Sequence, residues 1–337
     1  MTSNAVGQAN VITAMTADGQ RLPVVDVTNP AFTVPDNAAA VDVLRDRHVA
    51  DEQRQPLPRV FTRLFMLLAA RRSPLLRLLV RPKATFLDGL STYLLKLGPD
   101  NLVAPFDGPL DRRVAASAPA TSVRVRLQQV VRLMVEGLAD DLGAAPGRPL
   151  HLINIGGGPA IDSLNALILL RRSMPETLMR PITIHVLDQD ARGPAFGNNA
   201  LAALAATGAP LAGLDITFLH ELYRWSDTAP LDRLMRRLIA DDVVIAASSE
   251  GALFDYGSDE DVVGNLKALA AEGRGARSVV GSITRTDDLA MRIVKDSPYK
   301  LVPRSAEHFA RLAARGGFTV ARSERALMSD QVLLRLT

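Results

Sequence analysis

The sequence predicts an α/β protein with a seven-stranded, mostly parallel sheet and a mainly helical N-terminal region. Short, nearly continuous apolar runs alternate with helical patterns over about the last two thirds of the chain, and such runs are typical of parallel strands covered on both faces. A glycine-rich turn joins one of these strands to a helix in His151–Ser163, HLINIGGGPAIDS. The next strand, ITIHVLD, ends in an acidic residue, Asp188.

Residues 1–119 have a different pattern from residues 120–337, so we predict two regions. The first begins with a hairpin in VITAMTADGQRLPVVDV, whose turn signal is Asp18-Gly19. Short helices, punctuated by prolines, are then predicted at Ala38–Gln53, Arg59–Arg71, Pro74–Leu79 and Thr85–Leu97. We expect this region to form a cap or lid. A long amphipathic helix from about residue 120 opens the second region.

The second region supplies the sheet. Its predicted strands are Leu150–Ile155, Ile182–Leu187, Ile216–Leu219, Val243–Ala247, Ser278–Ile283, Gly317–Arg322 and Gln331–Leu336. Its predicted helices are Asp162–Arg172, Gly197–Thr207, Leu231–Ile239, Asp259–Ala271, Thr286–Ile293 and Ala306–Ala314.

The glycine turn and Asp188 together indicate a nucleoside-bearing ligand. A turn without Cβ atoms lets a ligand approach the backbone at a helix start, and an acid at the end of the next strand is placed to bind a ribose. A dinucleotide is disfavoured because Ile161 stands where the third glycine of that fingerprint belongs. A triphosphate loop is disfavoured because no Gly-Lys-Ser/Thr sequence follows.

The turn resembles motif I of the class I S-adenosylmethionine (SAM)-dependent methyltransferases, acid-x-Gly-x-Gly-x-Gly. Its four marked positions fall on Asn154, Gly156, Gly158 and Ala160, with Asn in place of the acid and Ala in place of the last glycine. The resemblance implies a Rossmann-like, SAM-binding catalytic domain over residues 120–337, with an antiparallel last pair of strands. Its implied cofactor contacts are Asn154, Gly156, Gly157, Gly158, Asp188, Gln189, His220, Glu221, Ser248, Ser249 and Arg124.

Several of these assignments keep an alternative. Asp190 rivals Asp188 for the ribose, although Asp188 directly follows the apolar run. Arg124 or Arg126 is the expected clamp for the methionine carboxylate, since a guanidinium pairs bidentately with a carboxylate. His220 and Glu221 follow the third predicted strand, where the family places groups that hold the adenine.

Three residues are predicted to be catalytic: Glu250, Asn154 and Tyr93. Glu250 follows the fourth strand, where it either orients a substrate or acts as a base, or else bonds backbone amides of its loop. Asn154 affects the ionisation of the methionine amine, because a neutral residue there favours the ammonium less than an acid does. Tyr93 is a predicted cap contact whose ring face attracts a sulfonium.

Three functions follow from the resemblance. The first is methyl transfer from SAM to a small molecule of secondary metabolism, which needs alignment and exclusion of water and no metal. The second is cyclisation of SAM, because the turn is also similar to that of nicotianamine synthases and azetidine-2-carboxylate synthases are methyltransferase-like. In that reaction the SAM amine attacks its own γ-carbon, which releases methylthioadenosine. The third is a SAM-binding protein without catalytic activity.

Composition limits the other classes of function. The 337-residue chain has no cysteine, a net charge of +3 and only 4% aromatic residues, which predicts a reducing, cytoplasmic location and no nucleic-acid binding. The five histidines lack metal-ligand spacing, so no metal is expected. We see no signal peptide, and the apolar runs are too short to span a bilayer. The apolar helices at Val60–Leu68 and Leu75–Val80 suggest a homodimer.

Overall fold

The computed structural model of the protein describes residues 11–54, 68–80 and 87–337. A two-stranded hairpin, β1 (Thr13–Met15) and β2 (Arg21–Pro23), precedes a seven-stranded sheet of order β5-β4-β3-β6-β7-β9-β8. The sheet strands are β3 (Leu150–Ile155), β4 (Ile182–Asp188), β5 (Ile216–Leu222), β6 (Val244–Ser249), β7 (Ser278–Thr284), β8 (Phe318–Arg325) and β9 (Ser329–Leu336). Strands β3 to β7 are parallel, and β9 runs antiparallel to both β7 and β8.

Twelve α-helices lie within the described ranges. They are α1 (Ala38–Gln53), α2 (Pro74–Leu79), α3 (Gly89–Leu97), α4 (Pro109–Ala115), α5 (Ala118–Ala144), α6 (Ile161–Ser173), α7 (Arg192–Leu204), α8 (Ala229–Ala240), α9 (Leu253–Tyr256), α10 (Asp259–Ala270), α11 (Asp288–Asp296) and α12 (Ala306–Arg315). None of the helices described there combines the length and the apolar character that crossing a membrane requires.

Two large apolar clusters cover the two faces of the sheet. One cluster joins α5, α6 and α7 to β3 and β4, and it also contains Leu22, Tyr93 and Leu94 from the N-terminal region. The other joins α8, α10 and α12 to the opposite face. The N-terminal region therefore shares a core with the sheet and its helices, since its side chains pack into the first cluster.

Polar side chains also tie the N-terminal segment to the helices. The Tyr93 hydroxyl donates to the Pro23 carbonyl at 2.5 Å and accepts from the Val25 amide at 3.0 Å. Asn165 accepts from the Val27 amide at 2.7 Å and donates to the Val25 carbonyl at 2.9 Å. These side chains satisfy the backbone of an irregular segment that has no strand partner there.

The predicted seven-stranded, mostly parallel sheet and its antiparallel last pair are confirmed, and most element bounds agree within a few residues. The strand predicted to end at Leu219 continues to Leu222, because its backbone keeps pairing with β4 as far as Asp188. The helix predicted from Gly197 begins at Arg192. The helix predicted from Thr85 begins at Gly89, where the Asp88 carboxylate accepts from the Ser91 amide as an N-cap. Helix α4 was not predicted, and most of Arg59–Arg71 lies outside the described residues.

Two histidines meet on neighbouring strands of the sheet. His151 Nδ1 lies 2.8 Å from His185 Nε2, and the two rings are stacked with centroids 5.1 Å apart. Burial, with the charges of His151 and Arg237, lowers the pKa of His185 to about 4. Burial also lowers the pKa of His151.

We predict that this pair makes the fold sensitive to acid. In the unfolded chain, His185 takes up a proton near pH 6.5. In the folded chain, His185 takes up a proton only near pH 4. The free energy of unfolding is therefore expected to fall as the pH drops from 6.5 towards 4, by up to about 3 kcal/mol.

Urea unfolding at several pH values measures this slope. His185→Gln should flatten it, whereas the control Thr217→Gln, at an exposed and non-titrating position of β5, should leave it unchanged. An unaltered slope in His185→Gln would contradict the prediction.

Candidate active site

A cavity of about 230 Å³ lies at the carboxyl ends of four adjacent strands, β5, β4, β3 and β6. Ligands of open parallel sheets bind at this edge, where the strand order reverses. The lining residues are Leu87, Asp88, Gly89, Gly156, Leu187, Asp188, Gln189, Asp190, Tyr223, Arg224, Trp225, Ser226, Gly251, Ala252 and Tyr256. Of the predicted cofactor contacts, the structure brings together Gly156, Asp188 and Gln189 at this cavity.

The three glycines of the turn have different neighbours. Gly156, at φ +70°, faces the cavity, where a Cβ would lie 2.8 Å from the Ala252 Cβ and 3.2 Å from the Trp225 ring. A Cβ on Gly157 would lie 2.2 Å from Asn154 Oδ1. Gly157 and Gly158 do not line the cavity. Their lack of side chains instead allows neighbouring parts of the protein to pack closely against the turn.

Gly158 is the point where the N-terminal region meets the turn. A Cβ on Gly89, at the start of α3, would lie 2.5 Å from the Gly158 Cα, and one on Gly193 would lie 2.8 Å from the same atom. Two other backbone segments, at Gly89 and Gly193, therefore approach Gly158 at distances that leave no space for a side chain. This contact places Leu87, Asp88 and Gly89 in the cavity wall.

Asp188 is a lining residue of the cavity and also holds the turn. Its Oδ2 accepts from the Gly158 amide and its Oδ1 accepts from the Asp190 amide, both at 2.9 Å. Burial raises the pKa of Asp188, and the two amide hydrogen bonds partly offset that rise. Gln189 and Asp190 also line the cavity. Asp190, the alternative candidate for binding the ribose, therefore lies in the same wall as Asp188.

His220 and Glu221 do not line the cavity. Both are exposed and lie within β5, which continues past the end expected for it, and the His220 ring contacts the Asp188 carbonyl at 3.0 Å. The loop after β5 takes their place in the cavity wall, through Tyr223, Arg224, Trp225 and Ser226. One feature of the sequence could have indicated this loop: Trp225, the single tryptophan of the chain, lies close to the end of a predicted strand.

Asn154 is buried beneath the turn. Its side chain donates to Asp162 Oδ1 at 2.7 Å and to Ser248 Oγ at 3.1 Å, and it accepts from the Gly157 amide at 3.0 Å. Ser249 donates to the Ile155 carbonyl at 3.0 Å. Neither serine lines the cavity, so these three predicted contacts brace the strand ends in the structure.

Glu250 lies at the end of β6 between two cations. It bonds Lys96 of α3 and Arg126 of α5, and the Glu250 and Lys96 side chains are almost fully buried. Burial opposes ionisation of Glu250, but the charges of Arg126 and Lys96 outweigh it and lower the pKa to about 2. A carboxylate with so low a pKa is a poor proton acceptor near neutrality.

The two arginine candidates have different positions. Arg124 donates to the Phe32 carbonyl at 3.0 Å and does not line the cavity. Arg126 lies directly behind the cavity wall, since a Cβ on Gly251 would be 2.4 Å from its Nη2. Tyr93 lies away from the cavity, with its hydroxyl bonded to the backbone of residues 23 and 25.

Two further findings concern metal binding by the described residues and the ionisation of a tyrosine in the cavity wall. Among residues 11–54, 68–80 and 87–337, no three His, Asp or Glu side chains come together as a metal site would require. Tyr256, at the end of the cavity near β6, has its pKa raised to about 12, chiefly by burial.

We predict that Gly89→Ala separates α3 from the glycine turn. The added methyl group meets backbone atoms, which cannot rotate away, so we expect a loss of about 1–3 kcal/mol of stability. Thermal unfolding measures the loss, and hydrogen exchange of residues 87–97 should increase.

The matched control is Gly143→Ala, in α5, where a Cβ meets nothing within 4 Å. It should be neutral or stabilising, because alanine is the better helix former. Equal effects of the two substitutions would contradict the assigned contact.

The chain was compared with known proteins. No protein-family model and no curated protein sequence matches it. A solved structure from Bordetella parapertussis, described as a possible exported protein, superposes with a TM-score of 0.55 at 17% identity, covering 89% of this chain and 95% of that one.

Two further solved structures are named for their functions. The pyocyanin biosynthetic protein PhzM gives a TM-score of 0.40 at 14% identity, covering 69% of this chain and 59% of PhzM. Human N-acetylserotonin methyltransferase in complex with SAM gives 0.38 at 14% identity, covering 63% of this chain and 56% of that one. The chain thus spans less than two thirds of either protein. From its strand order, the chain has a Rossmann-like α/β fold with a seven-stranded, mostly parallel sheet.

Proposed function

We propose that the protein is a SAM-dependent methyltransferase that acts on a small molecule. The observation that carries the proposal is a cavity along four strand ends, with Gly156 and Asp188 both in its wall. Adjacent strands are about 4.8 Å apart, so the cavity crosses about 14 Å of sheet edge. That span suits an extended adenosyl group with its methionine arm.

The lining residues fit such a molecule. Tyr223 and Trp225 offer aromatic surface for an adenine, and Asp188 offers carboxylate oxygens for ribose hydroxyls. Arg126, which lies behind Gly251 and beside Glu250, is the proposed partner of the methionine carboxylate, because a guanidinium suits a carboxylate. When bound, SAM supplies an electrophilic methyl group on a sulfonium.

The N-terminal region completes the proposed site. Leu87, Asp88 and Gly89 form the part of its wall contributed by residues before α5. We assign them the role of covering the bound molecule and excluding water from the transferring methyl group. Glu250, Asn154 and Tyr93 then act as supports of the site, because they do not line the cavity and their polar atoms are engaged within the protein.

Incubation with SAM, followed by mass spectrometry, separates this function from the two others. S-adenosylhomocysteine (SAH) that forms only with an added acceptor supports methyl transfer. Methylthioadenosine formed from SAM alone, together with a cyclic amino acid, would identify a cyclase. SAM binding without any product under either condition would identify a binding protein.

We predict that Asp188→Asn weakens binding of SAH roughly tenfold to hundredfold, because a charge-assisted hydrogen bond to the ribose is lost. Isothermal titration calorimetry gives the dissociation constants. Asp190→Asn is the matched control and should change them less than about threefold. A larger effect at Asp190 would transfer the ribose role to that residue.

We predict that Glu250→Gln acts through stability. The substitution leaves Lys96 and Arg126 without their buried counter-charge, and breaking such a group costs about 3–5 kcal/mol. Denaturant unfolding measures the loss, and Glu221→Gln on exposed β5 should be nearly neutral. Full stability with abolished turnover would instead identify Glu250 as a catalytic base.

A further inference from the structure

The loop after β5 is held from outside the cavity by an asparagine. Asn265 lies on α10, is completely buried, and is not one of the residues that line the cavity. Its Nδ2 donates to the Trp225 carbonyl at 2.7 Å and to the Asp261 carbonyl at 2.8 Å. Its Oδ1 accepts from the Tyr223 hydroxyl at 2.5 Å. One side chain therefore bonds two residues of the cavity wall.

The partners of Asn265 determine which way its amide points. A carbonyl oxygen can only accept, so the carbonyls of Trp225 and Asp261 require the NH₂ group, and Oδ1 faces the Tyr223 hydroxyl. That hydroxyl must then donate to Asn265. Tyr223 therefore contributes its aromatic ring to the cavity wall, while the hydrogen of its hydroxyl is already used within the protein.

The position of Trp225 depends on the same asparagine. The Trp225 ring lies against the glycine turn, since a Cβ on Gly156 would be 3.2 Å from Trp225 Cζ3. Helix α10 is a firm support for Asn265, because it buries Val262 and Leu266 in the apolar cluster on that face of the sheet. A contact group that is held by a packed helix keeps its geometry better than one held only by its own loop.

A second asparagine makes the same set of hydrogen bonds away from the cavity. Asn165 on α6 is also completely buried, and it donates to the carbonyl of Ile161, one turn earlier, at 2.7 Å. It also accepts from the Val27 amide and donates to the Val25 carbonyl. Residues 25–27 do not line the cavity. Asn165 is therefore a matched control for the burial and hydrogen bonding of Asn265.

We propose that Asn265 is a positioning residue for the adenine end of the bound molecule, because it fixes Tyr223 and Trp225 as the aromatic surface against which the base packs. This role rests on the proposed binding of SAM. Stacking on an aromatic ring depends on the position and tilt of that ring. Loss of Asn265 should therefore lower the affinity for any ligand that carries the base, although Asn265 itself does not touch the ligand.

Fluorescence tests the effect on the loop without a ligand. Trp225 is the single tryptophan of the chain, so the tryptophan emission reports this loop alone. In Asn265→Ala we expect the emission maximum to move to longer wavelength, because the ring leaves the turn and meets water. Asn165→Ala should lower the unfolding temperature to a similar extent, since it loses equivalent buried hydrogen bonds, but should keep the wild-type emission.

Calorimetry with SAH and with adenosine tests the effect on binding. Asn265→Ala should weaken both ligands by a similar factor of about ten or more, because both carry the adenine. Asn165→Ala should change either dissociation constant less than about twofold.

Tyr223→Phe provides a second variant that keeps Asn265 and the aromatic ring. It removes only the hydroxyl that bonds Asn265, and it should weaken both ligands about threefold or more. Its control is Tyr93→Phe, which loses a buried hydroxyl away from the cavity and should bind as the wild type does. This pair of variants decides the question if Asn265→Ala does not fold.

Two results overturn the proposed role of Asn265. One is wild-type affinity for both ligands in Asn265→Ala, or in Tyr223→Phe where the alanine variant is unfolded. The other is an equal loss of affinity in Asn165→Ala, which would show a general effect of lowered stability. Failure of the wild type to bind SAH refutes the proposed function itself, so the two failures are distinguishable.

Discussion

The meeting of α3 with the glycine turn determines most of the geometry of the candidate site. Gly89 and Gly158 approach so closely that a Cβ on either would contact the backbone of the other. This approach brings Asp88 into the cavity wall and aligns Lys96, later on the same helix, with Glu250. This backbone contact therefore couples the N-terminal region to the glycine turn, and it requires glycine on both sides.

Buried charges reinforce the same junction. Glu250 receives one cation from α3 and one from α5, so the end of β6 is tied to both the N-terminal region and the long helix. Such a group contributes little net stability compared with an apolar core, but removal of one member leaves a buried charge unpaired. The group of Glu250, Lys96 and Arg126 instead fixes the positions of Arg126 and Gly251 beside the cavity.

The residues at the strand ends thus have two roles: some support the glycine turn, and others form the surface open to a ligand. Asn154, Ser248 and Ser249 hydrogen-bond within the protein below the turn, while Gly156, Asp188 and the loop after β5 form the surface open to a ligand. This division explains how the turn can depart from the acid-containing motif at residue 154. Asn154 can both donate and accept, and it uses both functions to hold Asp162 and Gly157.

The sequence alone determined the fold class, the strands of the sheet in their order along the chain, and the positions of Gly156 and Asp188, because apolar periodicity and glycine turns are local signals. It did not predict that β5 runs on to Leu222, which moves the wall contacts from His220 and Glu221 to the loop that follows. Nor did it distinguish Arg126 from Arg124, or a ligand-facing glycine from one that faces another helix. Only the tertiary structure decided these points, since they depend on which distant segments pack together: residues 89 and 158, or 96, 126 and 250, share no local pattern along the chain.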